Sequence, residues 1–177
     1  FRSQILISSN LERLIYLSTG CNSAKTAQLM EDLRTKGVYE VSEDMRQFMA
    51  DFVGGFAEEP EVFKTIRDLK EEVGYVLDPH TAVASAVYKQ YAEKTGDTRK
   101  TVIASTASPY KFAPNVMKAL GYDVEHQDVF EVIDQLSEIS GVPEPRAIRE
   151  VRNAAIRHSE VCEISEMKKM VEDFLFA

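Results

Sequence analysis

Cysteine is scarce in this chain: Cys21 and Cys162 are the only two among 177 residues, far apart, without CxxC spacing and without a neighbouring histidine pair. That excludes a disulfide framework and a cysteine–histidine metal centre, so both read as reduced thiols and no metal is expected. Apolar runs are short. None approaches the roughly 20 residues that cross a bilayer, and the first residues lack the basic, apolar and small-residue order of a secretory signal, so a cytoplasmic location is the expectation. There is no long basic cluster. With 21 Lys and Arg against 29 Asp and Glu, the formal charge is −8, which argues against nucleic acid or an anionic membrane as a partner. Neither GxGxxG nor GxxxxGK[ST] occurs, so Gly54-Gly55 reads as a loop rather than a phosphate cradle. Repeats of 20 to 50 residues and low-complexity runs are absent too. The chain opens Phe1-Arg2-Ser3-Gln4, with no initiator methionine or polar lead-in before an apolar stretch, and is expected to be part of a longer protein.

What is present fits one domain with a real core, or a portion of a larger one. A first strand, Ile5-Leu6-Ile7, runs into Ser8-Ser9-Asn10, side chains suited to cap the helix that begins with Leu11, and Gly20 closes that helix. Residues 22–73 are polar and helical in period and read as a helical insertion, with Ser42 able to cap one helix and Val62, Ile66, Leu69 and Val73 sharing a face before Gly74. Residues 74–121 read as a βαβ core. Tyr75-Val76-Leu77 is a short apolar strand, and Asp78 then Pro79 give an N-cap followed by proline at the first helical position. That helix carries Val83, Val87 and Tyr91 on its buried side and stops at Gly96, and Thr101 to Ser105 is a second, β-branched strand. Ser108-Pro109 repeats the cap-plus-proline signal. Residues 122–177 form a helical tail broken at Val142-Pro143-Glu144-Pro145, with faces Val129, Ile133, Leu136 and Met167, Met170, Val171, Phe174, Leu175. The expected fold class is therefore α/β, a partial parallel sheet flanked by helices. The strand ends at Leu77 and Ser105 should lie side by side, each before a helix start, at the edge where such sheets bind ligands.

Three segments in this order and spacing resemble threonine synthase of the fungal and bacterial type: Ile5-Leu6-Ile7-Ser8-Ser9-Asn10-Leu11-Glu12-Arg13, Gly74-Tyr75-Val76-Leu77-Asp78-Pro79-His80-Thr81-Ala82-Val83, and Ser105-Thr106-Ala107-Ser108-Pro109-Tyr110-Lys111-Phe112. The resemblance covers nearly all of this chain but only the carboxy-terminal part of the family. It implies a tryptophan synthase β-like fold of type II and pyridoxal 5'-phosphate (PLP) as cofactor of the intact protein. The implied reaction converts O-phosphohomoserine and water to threonine and phosphate. It also implies that the Schiff-base lysine, in a Ser-Phe-Lys-Asp type motif, and the glycine- and asparagine-rich phosphate loop belong to the amino-terminal portion. No catalytic residue is then expected within these 177 residues, the rest of the chain is the implied partner, and the fragment alone is expected to be inactive. Family members commonly have His where Ser108 stands and Ala where Tyr110 stands.

By the same resemblance Thr106 aligns with the residue whose hydroxyl bonds the pyridine nitrogen, with Ser105 as the alternative. A neutral hydroxyl can donate to an unprotonated nitrogen, whereas a carboxylate would hold the ring as a pyridinium. A helix cap is the competing role for Thr106. His80, beside a strand end, could face substrate or be structural, and His126 and His158 read as surface residues. Ser8, Ser9 and Asn10 could take the substrate phosphate at a helix start or act only as caps. Arg13 and Lys111 could neutralise that phosphate or solvate a helix face. Two rival readings stand beside threonine synthase: another fold-type II enzyme such as a serine or threonine dehydratase, against which the long helical insertion argues, and a threonine-synthase-like protein that binds a phosphorylated ligand without turnover.

Overall fold

The structure is a computed structural model and describes residues 8–157 and 159–176. Helices dominate it. In chain order they are α1 (Ser9–Ser18), α2 (Ser23–Lys36), α3 (Glu43–Phe48), α4 (Glu59–Val73), α5 (Pro79–Thr95), α6 (Ala113–Ala119), α7 (Val129–Ser140), α8 (Arg146–Arg152) and α9 (Met167–Phe176), with 3-10 turns at Pro109–Phe112 and Ile164–Glu166. None among the described residues is long and apolar enough to cross a membrane.

Capping chemistry sets many of the boundaries. Ser8 accepts the Leu11 N–H at 3.3 Å to start α1, and Asn22 accepts that of Lys25 at 2.9 Å to start α2. Asp78 caps α5, with Pro79 filling the first-turn position where a missing N–H costs nothing. The helix ends at Gly96, whose φ of 69° is the left-handed conformation a glycine adopts without a Cβ clash. Asp128 opens α7 by accepting from Phe130 N at 2.8 Å.

The main core lies among α4, α5, α6 and α7. Ile66, Val116, Met117, Val132 and Leu136 are fully buried there, joined by Val76 and Leu77 from the segment before α5. Short α6 packs against both α4 and α7. Arg67 of α4 fixes that contact by donating through Nε and Nη2 to the Ala119 carbonyl, at 3.2 and 3.1 Å, which satisfies an acceptor the end of α6 leaves open. Separately, α1 lies against α2 and α3, with Ile15 and Met45 buried. On α5 the buried side is Ala82 and Ala86, while Val83, Val87 and Tyr91 are only half-buried. On α7 Ile133 and Leu136 turn inward and Val129 outward; on α4 Val62 and Ile66 turn inward and Val73 outward. The expected apolar face of α9 buries nothing among the described residues.

The expected α/β class, with a partial parallel sheet, is overturned: among the described residues there is no strand. Tyr75–Leu77 and Thr101–Ser105 run without regular secondary structure, and no backbone hydrogen bond joins them. A strand exists only as a partner in a ladder, and β-branched composition cannot supply the partner. Val76 and Leu77 are instead buried by helices, whereas Val102 is 94% exposed. The remaining expected strand, Ile5-Leu6-Ile7, lies outside the described residues.

Candidate functional site

The two segments expected to be strands still meet at their ends. Asp78 closes the first, is 1% exposed, and aims its carboxylate into the first turn of α5. Oδ1 accepts the backbone N–H groups of His80 (2.9 Å) and Thr81 (3.2 Å), while Oδ2 accepts the Thr81 hydroxyl in a short contact. From the second segment, Ser105 Oγ stands 3.1 Å from Thr81 Oγ1 and 3.5 Å from Asp78 Oδ2. A buried carboxylate requires such partners, and here every one is a hydroxyl or a peptide N–H. Sequence reasoning took Asp78 as a cap alone and passed over Thr81. The available signal was the spacing: an Asp N-cap with a hydroxyl residue three positions on, at N3, where cap and side chain can meet.

Thr106 follows directly. It is exposed, and its hydroxyl has no partner among the described residues, so it caps nothing. The capping role falls to Ser108, whose Oγ accepts the Tyr110 N–H at 3.3 Å and opens the Pro109–Phe112 turn. Tyr110 is buried, and its hydroxyl donates to the Val142 carbonyl with Ser140 Oγ at 3.2 Å, tying this turn to the end of α7.

His80 and Lys111 are brought together by Phe112. The His80 ring meets Phe112 edge-on, centroids 4.9 Å apart and planes at 76°, and Lys111 Nζ lies 5.5 Å from the Phe112 centroid. His80 also borders a cavity of about 130 Å³ with Glu59, Phe63 and Asn115. Ser8, Ser9 and Asn10 are not joined to this group. Ser8 caps α1, Asn10 Oδ1 accepts from Arg13, and Ser9 is exposed. His126 is exposed, and His158 lies outside the described residues. No group of three or more His, Cys, Asp or Glu among the described residues could hold a metal ion.

The fit to a cofactor is therefore partial and specific. An exposed hydroxyl on Thr106, next to an anchored Ser105, suits a neutral hydrogen-bond acceptor such as an aromatic nitrogen.

Residues 81–161 match the family described as threonine synthase, C-terminal. The chain is 35% identical over 117 residues to threonine synthase-like 1 of Homo sapiens, covering 66% of this chain and 15% of that protein. It is 32% identical over 153 residues to threonine synthase of Saccharomyces cerevisiae, covering 75% of this chain and 30% of that enzyme. Among solved structures, the PLP-bound threonine synthase from Brucella melitensis aligns at 30% identity and a TM-score of 0.56, over 76% of this chain and 27% of that one. Threonine synthase from yeast aligns at 25% identity and 0.68, over 97% and 35%. The chain thus spans a minor part of each of these relatives. With the family match falling on α5 to α8 and the same helices superposing on solved threonine synthases, the chain belongs to the threonine synthase family, as a segment equivalent to its carboxy-terminal part.

Proposed function

We propose that this segment supplies the ring-nitrogen side of the cofactor site in a PLP-dependent threonine synthase acting on O-phosphohomoserine. The observation that carries this reading is the Ser105–Thr106 pair, where one hydroxyl is held by Thr81 and Asp78 and the next is exposed and unclaimed. Thr106 would donate to the pyridine nitrogen. When bound, PLP supplies the electron sink for chemistry at the substrate's α-carbon, and a neutral donor sets that sink's strength without protonating the ring. His80 and Lys111, each in contact with the Phe112 ring, would face the substrate, with Lys111 able to neutralise a phosphate. Ser8, Ser9 and Asn10 would contribute only as a second anion-binding helix start.

The test uses the full-length protein that contains this segment. Thr106→Val is nearly isosteric and removes one hydrogen bond, worth about 1 kcal/mol, so PLP titration should show roughly fivefold weaker binding and phosphate release from O-phosphohomoserine should slow. Unchanged affinity and turnover would remove Thr106 from the site. A second reading is a threonine-synthase-like protein that binds a phosphorylated ligand without turnover; the relative it takes its cue from by name alone is human threonine synthase-like 1, 35% identical over 117 residues. Phosphate release by the parent protein decides between them.

A further inference from the structure

We infer that Asp78 and Thr81 form a clamp that positions Thr106 through Ser105. This deepens the reading above and rests on it for the ligand alone.

The segment 101–106 is oddly held. Its backbone joins no ladder, most of it is exposed, and among the described residues its only hydrogen bonds to a distant part of the chain are those of Ser105 with Thr81 and Asp78. One hydroxyl therefore fixes where the segment ends, and the next residue is Thr106.

Proton counting gives the clamp a direction. The Thr81 hydroxyl has one proton and two neighbouring acceptors, the Asp78 carboxylate and Ser105 Oγ. The carboxylate is the stronger acceptor and makes the shorter contact, so it takes that proton. Ser105 then has two acceptors for its own proton, Asp78 Oδ2 and the Ala107 carbonyl, each at 3.5 Å. Both are internal to the protein. Ser105 thus spends its proton inward, and Thr106 is left as the hydroxyl that can donate to a ligand at this end of the segment. Asp78 is a positioning residue in this scheme, two hydrogen bonds removed from the ligand.

Two measurements test it. The first is NMR relaxation without cofactor, read as backbone order parameters of 102–107, a segment whose amides make no backbone hydrogen bond. Asp78→Asn keeps an oxygen to cap α5 but puts a donor where Oδ2 accepts from Thr81, and Ser105→Ala cuts the last link. Each should lower the order parameters of 102–107 from the rigid range of about 0.85 to about 0.6 or less, while Thr106→Val leaves them unchanged. The second is PLP titration of the full-length protein in a double-mutant cycle. Asp78→Asn and Ser105→Ala should each weaken binding in the parent and add little to Thr106→Val, because their effect passes through that hydroxyl. Additive losses would reduce Asp78 to a fold-stabilising role and overturn the clamp. So would unchanged order parameters at 102–107, or a Ser105→Ala protein that loses PLP while Thr106→Val keeps it. If Asp78→Asn does not fold, Ser105→Ala decides alone, since it leaves the buried carboxylate in place. If the parent takes up no PLP, the functional reading falls, and the order parameters still decide the clamp.

Discussion

Replacing Asp78 by alanine should cost far more stability than the loss of an ordinary helix cap, and the structure contains its own control. Asp78 and Asp128 are both aspartate N-caps, of α5 and α7, but Asp78 is 1% exposed whereas Asp128 is exposed. Losing either cap costs about 1 kcal/mol. At Asp78 the buried Thr81 hydroxyl also loses its acceptor, which adds about 1–3 kcal/mol, and relief of the carboxylate's own desolvation returns part of that. The net expectation is about 2–3 kcal/mol for Asp78→Ala against about 1 kcal/mol for Asp128→Ala. Urea unfolding followed by far-UV circular dichroism reads the difference directly. With a denaturant slope of about 2 kcal/mol/M, the midpoint should fall by about 1 M or more for the first variant and about half that for the second, with slopes unchanged. Equal shifts would refute the reasoning, since they would mean the buried carboxylate contributes no more than a cap.

Two other perturbations give sharp outcomes. A Cβ on Gly55 would stand 2.5 Å from Val87 Cγ1, and β-branched valine turns aside poorly, so Gly55→Ala should destabilise by about 1–3 kcal/mol and Gly55→Ala/Val87→Ala should recover most of it in the same unfolding assay. At the far end of α5, the Arg99 guanidinium, helped by its own backbone N–H and by the Tyr91 hydroxyl, holds the Asp97 carboxyl well below its ordinary value of 3.8. A lowered folded pKa means the contribution is complete above the ordinary value and is lost as pH falls through the folded one. Stability measured below about pH 4 should therefore decline less steeply in Arg99→Ala than in the parent, and added salt should shrink the difference because the pair is exposed.

Much of the helical framework could be read from local chemistry. Asp78-Pro79 announces the start of α5, Gly96 its end, and Ser108-Pro109 a new turn, because each depends on groups only a few residues apart. Thr101 to Ser105 carries equally strong β-branched composition, yet its state depends on a neighbour that a periodicity within the segment cannot reveal. The inward face of α5 was misjudged for a related reason. Hydrophobicity points to Val83 and Val87, but the positions the neighbouring elements bury are Ala82 and Ala86. At the candidate site, family resemblance singled out Ser105 and Thr106, whereas Thr81 was passed over: its spacing from Asp78 was legible, but its contact with Ser105 across 24 positions was not.

The Arg67 latch has a consequence for how the chain closes on itself. It joins positions 52 apart, and Asp78, Thr81 and Ser105 all lie within that span. Once Arg67 has gripped the end of α6, bringing Ser105 to Asp78, 27 positions away, means closing a loop inside one already closed, at a smaller entropic cost than closing it in a free chain. A guanidinium remote from the hydroxyls thereby lowers the cost of assembling them, and the order of events in folding becomes part of what makes the site.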